Sequence, residues 1–186
     1  MNKLFFILFI SLVFSKFDIS AQTVLRNKDI IKLTIENFPE SIYYKALKTE
    51  PEIHTSFISA KTIDSGCINY QTKEFDFKKE NISFRFNCNY DTTQTNYLDY
   101  IVIKSKNAPF ITEDSIMVGD KILITTICKN IDKLKEQINA WKDNHVNYIF
   151  YNNVTYYIKK IQLKKINSKT VVKIKKITIY TFKLKT

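Results

Sequence analysis

The residues of this chain that could do covalent or acid–base work are three cysteines, two histidines and one group of acids. Cys67, Cys88 and Cys128 contain no C-x-x-C pair. A thiol nucleophile needs a base to take its proton, and the one route is Ser65-Gly66-Cys67 with His54 or His145. A zinc site would need three or four ligands at short paired spacing, or a His-Glu-x-x-His helix; neither is present, so no metal site is expected. Glu113, Asp114 and Asp120 fall within ITEDSIMVGD. Two carboxylates can divide the acid and base roles of glycoside hydrolysis. The same acids, set around Ser115 and Gly119, are also ordinary turn-forming residues.

Gly66 and Gly119 are the only glycines. A phosphate-cradling loop needs several glycines within one turn, so dinucleotide fingerprints and P-loops are excluded, as is the Gly-x-Ser-x-Gly elbow of hydrolases. No cofactor is expected. The composition is 45% apolar and 14% aromatic, which is that of a folding chain and not of a disordered one.

Residues 1–22 read MNKLFFILFISLVFSKFDISAQ. Lys3 gives a positive start, Leu4 to Phe14 is apolar apart from Ser11, and a polar stretch ends in Ser20-Ala21-Gln22. This is the three-part plan of a secretory signal peptide, with cleavage expected after Ala21. The apolar run is shorter than the roughly 20 residues that a membrane-spanning helix requires. The stretch resembles the leader peptides of small exported proteins in Bacteroidota-type bacteria. That resemblance implies export and carries no activity with it. The expected organisation is a leader over 1–21 and one domain over 22–186. The expected location is secreted or periplasmic, where disulfides persist.

The elements that must position these residues are mostly strands. Asp29 to Phe38 fits a strand or a short helix, and Pro39 to Lys48 a short helix with proline near its start. Cys67 to Phe77 and Ile82 to Tyr90 alternate apolar and polar residues about the polar turn Lys78–Asn81, which predicts a hairpin with one buried face. In the simplest register Phe77 faces Ile82 and Gln71 faces Cys88. Cys67 then shares a face with Cys88 but lies four residues, roughly 13 Å, further along. That exceeds disulfide reach, so the candidate Cys67–Cys88 bond requires a bulge or bend near Gly66. Tyr97 to Lys104 predicts a third strand. Residues 110–127 predict one or two more, with Gly119-Asp120 as a turn between Ile116–Val118 and Ile122–Ile124. Asn130 to Lys142 predicts a helix, because Ile131, Leu134, Ile138 and Trp141 recur at helical spacing behind an Asn130 cap. Val146 to Tyr151 and Val154 to Leu163 flank Asn152-Asn153, whose residues tolerate the left-handed backbone of a tight hairpin. Thr170 to Leu184 completes a three-stranded meander. Ile158–Leu163 and Ile174–Ile179 are near copies, each with an adjacent lysine pair that breaks alternation and predicts a bulge or an exposed edge. The fold class expected is α+β: an antiparallel sheet of hairpins and a C-terminal meander, one packed amphipathic helix at about 130–142, and a short N-terminal helix.

The net charge is +11, and it is concentrated. Ten lysines and no Asp, Glu or Arg follow Asn144, whereas residues 22–143 are balanced. Lys159, Lys160, Lys164, Lys165, Lys173, Lys175 and Lys176 are the candidate face for an anionic partner: acidic polymer, lipid headgroups or an acidic protein. Export, and the lack of arginine in this segment, argue against nucleic acid. Three functions follow as expectations. The first is an exported, non-enzymatic binding or inhibitor-like module. The second is a small cell-envelope hydrolase using Glu113, Asp114 or Asp120, or Cys67 with a histidine. The third is a basic adhesive protein held on anionic envelope polymer or lipid.

Overall fold

Residues 22–61, 67–89, 96–140 and 144–181 are described by a computed structural model. The expected leader, Gly66, Trp141 and the tail from Phe182 lie outside the described residues. Period-two alternation becomes sheet along most of the chain. The strands are β1 (Thr23–Leu25), β2 (Glu52–Lys61), β3 (Cys67–Phe77), β4 (Ile82–Asn89), β5 (Tyr97–Ile103), β6 (Phe110–Thr112), β7 (Lys121–Leu123), β8 (His145–Tyr151), β9 (Val154–Gln162) and β10 (Val171–Tyr180). Eight of them form one sheet, in the order β2-β3-β4-β5-β10-β9-β8, with β7 paired to β10 off this path. Every pairing in that sheet is antiparallel. With short helices added, the fold is α+β as expected.

The β3–β4 hairpin takes the simplest register: Phe77 faces Ile82 and Gln71 faces Cys88. Asn81 supplies the left-handed turn residue at φ 54°. Asn152 and Asn153 do the same for β8–β9 at φ 48° and 63°. An Asn side chain accepts this conformation through local hydrogen bonding where most residues clash. The near-copies meet directly, since Ile158 of β9 faces Ile174 of β10. Both lysine pairs fall on ladder breaks. The β9–β10 register shifts between Ile174 and Lys176. The β8–β9 register shifts between Val146 and Tyr148, across the stretch of β9 that holds Lys159 and Lys160.

One face of the sheet is buried under the N-terminal segments. Phe75, Phe77, Phe84, Phe86, Ile101, Ile177 and Ile179 point into it. The cover is held by Phe38, whose ring lies 4.6 Å from Phe84, 5.2 Å from Phe86 and 5.4 Å from Phe75, centroid to centroid. Around it run the helix Asn27–Ile30, the 3-10 turn Phe38–Glu40 and the helix Ile42–Lys45. Ser41 caps the last, its Oγ accepting the Tyr44 amide at 3.1 Å. β1 and β6 form a separate parallel pair. The helix Ile131–Ala140 starts where expected, with Asn130 Oδ1 accepting the Lys133 amide at 2.9 Å and Leu134 buried.

Three expectations are corrected. Ile122–Ile124 is not one strand: Ile124–Ile127 turns into a short helix, which buries both Ile124 and Ile127. Ile116–Val118 is not a strand: Ile116 instead donates its amide to Thr112 Oγ1 at 3.1 Å. No Cys67–Cys88 bond is formed: Cys88 is a free, buried cysteine. Cys67 pairs with Lys61 and Cys88 with Gln71, so the register keeps the two four positions apart.

Candidate functional site

Each acid of ITEDSIMVGD is engaged by a different structural partner. Glu113 Oε1 accepts the Asn27 amide at 2.8 Å and so tethers the start of the first helix. Asp114 Oδ2 accepts the hydroxyl of the fully buried Tyr156 at 3.2 Å. Asp120 Oδ2 accepts the Met117 amide at 2.7 Å within its own turn. Glu113 and Asp114 do share a cleft of about 430 Å³, walled by Phe150 and by Asn27, Asn152 and Asn153; Asp120 lies outside it.

The thiol route is not assembled. His54 faces Glu74 on β2–β3, while Cys67 sits at the far end of β3, seven residues or about 23 Å away. His145 belongs to β8, at the opposite edge of the sheet. Among the described residues no three His, Cys, Asp or Glu side chains converge as a metal-ligand set.

The outward sheet face carries the aromatic and basic residues. Arg85 of β4 faces Tyr100 of β5, which faces Tyr180 of β10. Arg85 Nη1 donates to the Tyr100 hydroxyl at 2.8 Å, and the Tyr100 and Tyr180 rings pack edge-on at 6.0 Å. The β4–β5 register shifts between Arg85 and Phe86, placing Asp99 in the irregularity opposite Arg85. Burial raises the Asp99 carboxyl pKa, and the Arg85 charge opposes that shift. Further along the face, Lys176 Nζ lies 3.7 Å from the centre of the Tyr157 ring, a cation–π contact, and Tyr148 packs on Tyr157 at 6.2 Å.

The lysines concentrate where β10 leaves β5. Lys159, Lys160, Lys164, Lys165, Lys173 and Lys175 are exposed and Lys176 is half-buried. β7 brings in a residue that local pattern does not reveal, because Lys121 faces Lys173 directly across the β7–β10 pair. Like charges directly opposed on one sheet face repel. The next outward pair is Leu123 with Val171, 45% and 58% exposed. Between these pairs Ile122 faces Val172 on the inward side, where Val172 is buried. A three-residue strand paired with a partner about 50 positions away leaves no periodic signature, so only the fold could expose this patch.

A comparison with known protein families finds no match, and neither curated proteins nor solved structures yield one. No helix among the described residues is long and apolar enough to cross a membrane.

Proposed function

We propose that this chain is an exported binding module that docks an anionic partner through the lysine-bearing end of its C-terminal meander. One observation carries the reading: Lys121 and Lys173 oppose each other, with Lys175 two places on. Their repulsion weakens the β7–β10 pair in the free protein, and an anion set between them relieves it. The lysine pairs at the two ladder breaks widen the same positive surface. The test is retention on immobilised heparin. The protein should be held at low salt and released as the Debye length shrinks towards about 8 Å at physiological ionic strength. Lys121→Glu with Lys173→Glu should elute earlier at every salt concentration. No retention at low salt, or equal elution of this variant, removes the reading.

The envelope hydrolase is a second reading, supported by the cleft that Glu113 and Asp114 share with three asparagines. It requires glycan hydrolysis that Glu113→Gln or Asp114→Asn lowers at least about a hundredfold, the scale of an acid–base contribution. A rate that neither substitution changes removes it.

A further inference from the structure

We propose, on the footing of the anionic docking surface above, that its partner is an anionic lipid surface. The lysines alone would suit any polyanion. The deciding feature is the exposed apolar pair beside them: Leu123 and Val171 face each other on the same outward surface as Lys121 and Lys173. A single exposed leucine is ordinary. Here two aliphatic side chains are paired outward beside two paired lysines, while the intervening Ile122–Val172 pair keeps the inward side filled. An acidic polysaccharide would neutralise the lysines and leave Leu123 and Val171 wet. The headgroup region of a bilayer accepts both kinds of group. Phosphates meet the ammonium groups, the lysine stems extend sideways, and the aliphatic pair reaches the acyl boundary. Lys175, Lys159 and Lys160, all exposed, add to the attraction of an anionic leaflet.

The experiment uses the purified protein with phosphatidylglycerol vesicles, phosphatidylcholine vesicles and soluble heparin. The expected result is sedimentation with phosphatidylglycerol at low salt and none with phosphatidylcholine. Leu123→Ser with Val171→Ser should lower vesicle partition about tenfold, the scale of losing two aliphatic side chains that enter the bilayer only in part, while heparin binding stays unchanged. Val171→Trp, made in a Trp141→Phe background, gives an independent readout, with indole emission shifting to the blue on phosphatidylglycerol and not on heparin. Heparin binding without vesicle binding overturns the lipid assignment and leaves the anionic docking surface standing. Vesicle binding unaffected by the double serine change, with no blue shift from the V171W variant, also overturns it. Binding to neither polyanion nor vesicle overturns both readings.

Discussion

Tyr156 links the core to the acid group at the level of single residues. Its ring is fully buried and its hydroxyl donates to the exposed Asp114. Burial drives the phenol pKa well above its ordinary 10.0, since the phenolate would be stripped of water. Below pH 10.0 the folded and unfolded chains both keep the proton. Above it the unfolded chain releases the proton and the folded chain does not, so stability falls as pH rises. Tyr156→Phe abolishes this linkage. Urea midpoints measured from about pH 9 to 11 should therefore fall more steeply for the wild-type protein than for the variant. At neutral pH the variant should lose about 1 kcal/mol, the worth of one hydrogen bond. Coinciding pH slopes would show that Tyr156 does not carry the linkage. Glu80 plays a comparable fastening role. Though buried, it accepts the Lys48 amide at 3.1 Å and the Thr49 hydroxyl at 2.6 Å, tying the 46–49 loop to the β3–β4 turn.

At the scale of elements, the ladder breaks determine which side chains are dry. On β10, Val172 and Ile174 are buried before the irregularity, and Ile177 and Ile179 after it. The bulge takes up the extra residue between Ile174 and Ile177, so that both halves face one core. Deleting Lys175 leaves Ile174 and Ile177 two places apart, and a regular ladder then turns both halves inward without a bulge. The deletion variant should therefore keep a single cooperative unfolding transition, and Lys175→Ala should unfold within about 0.5 kcal/mol of wild type. A deletion variant that loses cooperative unfolding and binds a hydrophobic dye would mean that the bulge itself is required by the fold. These breaks were legible because a lysine pair interrupts an alternating run on each strand. The β3–β4 register was legible as well, since its partners are joined by a short turn and alternate strictly. The long strand β2 was not. As an edge strand it leaves Ile53 and Phe57 exposed at 58% and 72%, and so gives no one-sided apolar signal. Neither the β7–β10 pairing nor the Arg85–Tyr100 contact follows from local pattern. The first joins distant segments, and the second depends on the Asp99 irregularity, which shifts every later pairing of β4 with β5 by one.

Across the whole molecule, the N-terminal segments act as the lid of the core, and Phe38 is their anchor. Its ring is fully buried against rings from β3 and β4. Phe38→Ala should cost about 3–5 kcal/mol by denaturant unfolding, with one transition preserved. A loss below about 1 kcal/mol would mean that the lid is held elsewhere. The free Cys88 gives a second whole-molecule check. Adding reductant should leave the unfolding midpoint unchanged, whereas a bond closing a loop of this size would contribute about 3 kcal/mol. Among the described residues β10 is the last strand in chain order, yet it touches β5, β7 and β9. Until it is synthesised, the β8–β9 hairpin on one side and the strands β2 to β5 on the other have no strand between them. The two halves of the sheet can therefore close over a common core only after residues 171–180 have left the ribosome, which makes the central strand a late keystone of assembly.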